Sequence, residues 1–187
     1  MRVITGSARG RRLRELEGME TRPTTDRVKE GLFSALQFDI EGRKVLDLFA
    51  GTGQLGIESL SRGAASAVFV DRRPDAVKLI RENLRLTELE DRAQVIAGDS
   101  VEYLKSIRGP FDIIFLDPPY AAGLLEPVIA HIAKFDILAP HGIIAAEHPA
   151  DRVLPALAPP YRLHRTYRYG KIALTLYRRG GNEQNEE

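Results

Sequence analysis

The sequence predicts a mixed α/β domain: a mostly parallel sheet, closed near its C-terminus by an antiparallel hairpin. Three observations carry that reading. Between residues 44 and 146, short apolar runs alternate with segments of helical period, and short loops between them give a parallel sheet covered on both faces. Near the end, Tyr161–Tyr167 and Ile172–Tyr177 are strand-like runs joined by Arg168-Tyr169-Gly170-Lys171. That connection leaves no room for a crossover helix, so the two runs must pair antiparallel. Finally, an acid stands at the C-terminal end of successive apolar runs: Asp47, Asp71, Asp99 and Asp117.

The elements follow in order. Residues 1–20 read as a basic β-hairpin extension, with Arg2-Val3-Ile4-Thr5 and Arg11-Arg12-Leu13-Arg14 flanking a Gly6-to-Gly10 turn. Residues 21–179 form the main domain. It opens at Pro23-Thr24-Thr25-Asp26, a helix-start signal in which a hydroxyl takes an orphan N–H and the acid favours the positive end of the dipole. Val28, Leu32, Ala35 and Leu36 then recur at helical spacing. Candidate strands are Lys44–Phe49, Ala67–Val70, Ala93–Ala97, Ile113–Leu116 and Ile143–Ala146. Candidate helices between them are Gln54–Ser61, Pro74–Leu86, Val101–Ile107 and Leu124–Ala133. Residues 180–187, rich in Gly, Asn and Glu, are expected to be disordered.

Composition narrows the function classes. With 187 residues, 43% of them hydrophobic, the chain buries one substantial core. It has no cysteine, which excludes disulfides and thiolate metal sites. His131, His141, His148 and His164 lack ligand spacing, so no metal is expected. No run approaches the ~20 apolar residues of a membrane span, and the N-terminus lacks an apolar targeting segment, so a cytoplasmic protein is expected. No apolar seam stands out, and a monomer is the expectation. The net charge of +1 hides a segregation. Arg2, Arg9, Arg11, Arg12 and Arg14 open the chain without an acid, residues 152–179 are basic without an acid, and the middle is acidic. Basic ends that converge in space would attract a polyanion such as nucleic acid.

Gly51-Thr52-Gly53-Gln54-Leu55-Gly56 follows one strand and opens a helix, and Asp71 lies at the end of the next strand. Spacing alone fits a dinucleotide as well as another nucleotide-like cofactor. Asp47 argues against a pyrophosphate, because a carboxylate there suits an ammonium or sulfonium. Asp99, in Gly98-Asp99-Ser100, is placed to accept from an adenine amine. S-adenosylmethionine fits the set: Asp71 at the ribose, Asp99 at the base, Asp47 and the Gly51–Gly53 backbone near the methionine end, with Phe49 and Ser100 as further cofactor-binding candidates. For a single Asp, capping the following helix is an equal alternative; four in register favour a ligand.

Asp117-Pro118-Pro119-Tyr120 ends the apolar run Ile113–Leu116. Each proline fixes its own φ and biases its predecessor toward extended backbone, so the turn is stiff. Asp117 and the Pro118 carbonyl become fixed acceptors for an NH2 group, Tyr120 is a stacking face, and Pro119 lines the pocket. Together with the cofactor set, this turn implies methyl transfer to an amine. A nicotinamide dehydrogenase leaves the turn unexplained. A non-catalytic RNA-binding factor, and an enzyme acting on DNA adenine or protein glutamine, are the other readings.

Beyond these motifs, the chain resembles the RsmD-type enzymes of bacteria, which methylate guanine N2 in 16S ribosomal RNA. The resemblance runs from Met1 to about Tyr177. It rests on Arg2-Val3-Ile4-Thr5-Gly6, Arg9-Gly10-Arg11, Thr21-Arg22-Pro23-Thr24-Thr25-Asp26-Arg27-Val28-Lys29-Glu30, Val45–Gly53, Phe115–Tyr120 and Tyr169-Gly170-Lys171. Asp71 departs from it, standing where such proteins usually carry Glu. The resemblance implies a class I, Rossmann-like, S-adenosylmethionine-dependent methyltransferase fold with an N-terminal RNA-binding hairpin. It implies 16S ribosomal RNA, within an assembling small subunit, as partner, and Arg2, Arg9, Arg11, Arg12 and Arg14 as phosphate contacts. The block around Arg22 and Arg27 fits a structural role as well as an RNA-binding one.

Overall fold

The computed structural model describes residues 1–16, 23–107, 109–119 and 123–181, the side chains of residues 23–25 excepted. Seven strands form one sheet: β1 (Lys44–Asp47), β2 (Ser66–Asp71), β3 (Ala93–Ala97), β4 (Phe111–Leu116), β5 (Leu138–Pro149), β6 (Tyr161–Tyr169) and β7 (Ile172–Arg179). Five α-helices cover it: α1 (Pro23–Ala35), α2 (Gln54–Ser61), α3 (Pro74–Thr87), α4 (Ser100–Ser106) and α5 (Leu125–Lys134). The strand order is β3-β2-β1-β4-β5-β7-β6. Strands β1 to β5 run parallel, and β7 returns antiparallel to both β5 and β6. The order reverses between β1 and β4, and open α/β sheets bind ligands in the crevice at that point, beyond the strands' carboxyl ends.

Alternation along the strands sorts the core into two layers. Val45, Phe69, Ile113, Phe115, Ile143 and Ala145 join Phe33, Ile57, Leu60 and Ile80 of α1, α2 and α3, and Leu36 just after α1, in one apolar cluster. Leu46, Val70, Ile114, Leu116, Ile144 and Ala146 join Leu104, Val128, Ile129 and Ile132 of α4 and α5 in the other. Successive side chains of a strand point to opposite faces, so the identity of each layer is set residue by residue.

The expected helices and strands are present, with shifted ends. Strand β5 starts at Leu138, earlier than the apolar run Ile143–Ala146 suggested, and its pairing with β4 shifts register between Phe111 and Ile113. The C-terminal hairpin turns at Gly170-Lys171, so β6 includes Arg168 and Tyr169. Gly180 donates to the Pro160 carbonyl at 2.8 Å, so order extends past the end of β7, where the sequence predicted disorder from residue 180. The remainder of the expected disordered tail, residues 182–187, lies outside the described residues.

The N-terminal hairpin forms with a minimal ladder. Arg2 pairs with Arg12 as its single bridge, supported by Val3 N to Arg11 O, Gly10 N to Val3 O and Leu13 N to Met1 O. Its apolar residues Val3, Ala8 and Leu13 are buried in the same cluster as α1, α2 and α3. The turn is pressed against α2: a Cβ on Gly6, whose φ is +93°, would lie 1.8 Å from the Ser61 carbonyl oxygen. Ser61 holds the turn from three directions, accepting from Ala8 N, donating to Thr5 O and accepting at its carbonyl from Ser7 N.

Candidate active site

The loop after β1 places the cofactor-binding candidates. Gly51 and Gly53 both have left-handed φ, +56° and +80°, which only glycine adopts without cost. Gly53 N closes the turn onto Ala50 O at 2.7 Å, and Gly51 N donates to Asp71 Oδ2 at 2.8 Å. Asp71 Oδ1 accepts from Arg73 N, so this carboxylate orders both the glycine loop and its own. A Cβ on Gly51 would meet nothing within 4 Å, so the loop leaves open space above its backbone. Gly56 lets α2 approach β2, since a Cβ there would collide with the Phe69 ring at 2.3 Å.

Asp47 sits beneath the loop, 2% exposed, and accepts from Gly56 N at 3.1 Å. Burial, with a smaller push from the Asp71 charge, raises its carboxyl to about 7 against the Gly56 hydrogen bond. Gln54 Oε1 nearby is a buried acceptor with no partner among the described residues. A carboxylate without a cation and an acceptor without a donor fit the ammonium and sulfonium of S-adenosylmethionine, which would satisfy both. At the end of β3, Asp99 caps α4, its Oδ1 accepting from Val101 N and Glu102 N. It therefore takes the capping role that was the alternative for a single Asp, while its exposed carboxylate keeps a second oxygen for an adenine amine. Ser100 is different: its buried hydroxyl donates to Leu48 O, tying α4 to the end of β1. With its proton so used, the Ser100 side chain can meet a cofactor only as an acceptor, and its backbone N–H stays at the same strand end. Phe49 is half-buried and packs against the α4–α5 layer.

Asp117 follows β4 across the switch point from Asp47. Ile113 and Phe115 belong to the α1–α3 layer, as Val45 does, so Asp117 and Asp47 share that face. Burial first, then the charges of Glu147 and Asp47, push the Asp117 carboxyl well above the usual carboxylate range. Pro118 is buried and Pro119 exposed, and both line a small hollow with Leu124, Glu147 and Arg152. The expected stacking residue, Tyr120, lies outside the described residues.

Glu147 had not been singled out, although a signal was present: Ile143-Ile144-Ala145-Ala146-Glu147 repeats the pattern of Ile113-Ile114-Phe115-Leu116-Asp117. Its neighbour His148 points to structure. It is 2% exposed, with Nε2 bonded to Thr175 Oγ1 at 2.8 Å and Nδ1 to Pro149 O at 2.9 Å.

The arginines of the hairpin divide. Arg11 Nη1 bonds Leu86 O and Glu88, and Arg14 Nη1 bonds Glu82, so these two also fasten the hairpin to α3 and its end. Arg2, Arg9 and Arg12 are exposed, and among the described residues no acid pairs with them. Arg2 and Arg12 stand opposite one another in the ladder, an arrangement that costs energy until an anion bridges it. The block containing Arg22 and Arg27 resolves in part. Arg22 lies outside the described residues, Arg27 is exposed, and Lys29 is buried, its Nζ reaching Arg2 O at 3.2 Å and Glu58 Oε2 at 3.3 Å. No three His, Cys, Asp or Glu among the described residues are grouped to hold a metal ion, and no helix there is long and apolar enough to cross a membrane.

A parallel sheet with this order, a glycine cradle after β1 and an Asp-Pro-Pro turn after β4 define a class I S-adenosylmethionine-dependent methyltransferase. Comparison with known proteins makes this specific: residues 1–178 match the family described as Conserved hypothetical protein 95, and the chain belongs to it. A Bacillus subtilis protein named as a candidate rRNA methyltransferase is 40% identical over 97% of this chain and all of its own. The Ribosomal RNA small subunit methyltransferase D of Escherichia coli K12 is 35% identical, covering all of this chain and 93% of that protein. Among solved structures, an Escherichia coli protein described as a candidate methyltransferase superposes with TM-score 0.86 at 34% identity, over 96% of this chain and 98% of that one. An RNA methyltransferase from Salinibacter ruber, solved with S-adenosyl-L-homocysteine, shares the fold at TM-score 0.66 and 16% identity, over 90% and 98% of the two chains.

Proposed function

We propose that this enzyme methylates the exocyclic N2 amine of a guanine in 16S ribosomal RNA, acting on a small subunit during assembly. Methylation of ribosomal RNA is the activity its relatives' names carry, at 35–40% identity over nearly the full chain. The observation that carries the finer reading is the Asp117-Pro118 turn, a rigid pair of acceptors beside the cofactor cradle. When bound, S-adenosylmethionine supplies an activated methyl on a sulfonium.

Every other requirement falls to the protein. Guanine N2 delocalises its lone pair into the ring, so the enzyme must restore it and aim it. Asp117 and the Pro118 carbonyl, accepting the two N2–H bonds, favour rehybridisation and fix the angle of approach, which is positioning and electrostatic preorganisation. The extra proton that methylation would leave on N2 would go to Asp117 or to water. The guanine must be unstacked to reach this pocket, at a cost of a few kcal/mol that is least for an unpaired base. Tyr120 is placed in sequence to recover about 1–3 kcal/mol by stacking. Arg2, Arg9 and Arg12 hold phosphates and so position the RNA without reading it. Ribosome assembly sets the compartment as cytoplasmic, and we read the protein as a monomer that needs no metal.

The test is methyl transfer from labelled S-adenosylmethionine to small subunits from a strain lacking the modification, followed by nucleoside mass spectrometry. N2-methylguanosine is the expected product. Another methylated nucleoside, or no transfer despite measured cofactor binding, would overturn this reading.

A further inference from the structure

We infer that Glu147 selects guanine, its carboxylate accepting the N1–H of the base while Asp117 and Pro118 hold the two N2–H bonds of the amine for transfer. The inference rests on the function proposed above and names the residue that reads the base.

Geometry places it. Leu116 pairs with Ala146 in the parallel β4–β5 register, so Asp117 and Glu147 are the next residues on adjacent strands. They occupy the same face. Ile143 and Ala145 lie in the α1–α3 layer, and alternation carries Glu147 there; its antiparallel partner Leu174 belongs to that layer too. Asp117 reaches the same face after Ile113 and Phe115. Glu147 is half-buried, and its charge acts on Asp117. Strand order sets the direction, since β1 with its cofactor loop flanks β4 on one side and β5 flanks it on the other. A base whose amine sits at Asp117, between the methyl donor and β5, therefore presents its remaining edge toward Glu147.

The chemistry of that edge decides between bases. Guanine carries N1–H next to its N2 amine, two donors side by side. Adenine carries an acceptor, N1, next to its N6 amine. An ionised carboxylate only accepts, so it takes the guanine N1–H in a charge-assisted bond and leaves adenine N1 facing a like partner. A site built to bond one edge strongly rejects the analogue that lacks it, because its own polar group is then stranded. His148 is held by Thr175 and Pro149 on the opposite face and does not serve this purpose.

The test uses the full chain and small-subunit RNA carrying guanine or 2-aminopurine at the mapped position. 2-Aminopurine keeps the amine but presents N1 as an acceptor. Wild type should favour guanine at least about tenfold in kcat/KM. Glu147→Gln keeps one acceptor and gains a donor that matches 2-aminopurine, so the preference should narrow or invert by about tenfold or more. Its S-adenosylmethionine affinity, measured by calorimetry, should stay within about twofold of wild type. An unchanged base preference in Glu147→Gln would overturn the inference, as would equal use of both bases by wild type, a measurement that does not depend on the variant folding. Failure of wild type to methylate either RNA would instead overturn the proposed function, and this inference with it.

Discussion

Two sets of acidic side chains on the same helical layer are treated in opposite ways. Glu58 of α2, wholly buried, is saturated: Oε1 accepts from Thr5 N and Arg62 Nε, and Oε2 from Ile4 N with Lys29 Nζ at 3.3 Å. Asp47, Asp117 and Glu147, at the carboxyl ends of β1, β4 and β5, lie on one face of the sheet, and burial, with a further push from neighbouring carboxylate charge, drives Asp47 and Asp117 upward. A buried charge that folding satisfies is architecture, because it clamps the hairpin to α1 and α2. Carboxyls that folding holds above their ordinary range, as it does Asp47 and Asp117, store free energy that a ligand with N–H groups or positive charge can release. The same contrast separates Arg11 and Arg14, which pair with acids of α3 and its end, from Arg2 and Arg12, which stand opposite one another and have no acidic partner among the described residues.

The sharpest way to break this comparison is at Asp117. Asp117→Ala should lower kcat about 10²- to 10³-fold, as loss of a preorganised partner does, with little change in S-adenosylmethionine affinity. A large loss of cofactor binding measured by calorimetry would show that Asp117 belongs to the cofactor site. Next is the clamp. Glu58→Ala strands Lys29 and Arg62, and breaking a buried pair costs about 3–5 kcal/mol; at roughly 2–4 °C per kcal/mol for this size, a clear fall in melting temperature is expected. A neutral outcome would mean that the hairpin docks through Val3, Ala8 and Leu13 alone.

A smaller effect tests the opposed acids through pH. A carboxyl whose folded pKa lies above its unfolded value binds its proton more tightly when folded. Its favourable contribution is therefore full below the ordinary 3.8 and is lost as pH rises to about 7. Asp47→Asn keeps the acceptor for Gly56 but cannot ionise. Without cofactor it should melt with wild type near pH 4 and above it at pH 8; no divergence in a pH series of melting curves would remove Asp47 from the strained set. The smallest change is expected at the surface. Arg2→Ser or Arg12→Ser should weaken RNA binding and reduce the slope of log affinity against log salt by about 0.7–0.9 per lost phosphate contact, leaving cofactor affinity intact. Equal slopes in filter-binding titrations would assign these arginines no phosphate.

Asn83 shows how closely the two regions are joined. Its Oδ1 accepts from Arg14 N of the hairpin, and its Nδ2 donates to Arg14 O and to Thr52 O of the cofactor loop. Nothing in the sequence marks an asparagine in the middle of α3 for this task, because both partners are backbone groups brought there by folding.

By itself, the sequence determined whatever depends on neighbours along the chain. The periods of apolar residues set the helices and strands, the glycines after β1 set the cradle, and the paired prolines set the stiffness of the turn after β4. These are local properties, since φ limits and alternation operate over a few residues. Tertiary structure alone decided which charges meet. The β4–β5 register brought Glu147 beside Asp117, the docking of the hairpin onto α2 turned Glu58 and Lys29 into a clamp, and Ser100 was drawn to the end of β1. Electrostatic energy depends on distance and burial, and neither exists until segments distant in the chain pack together.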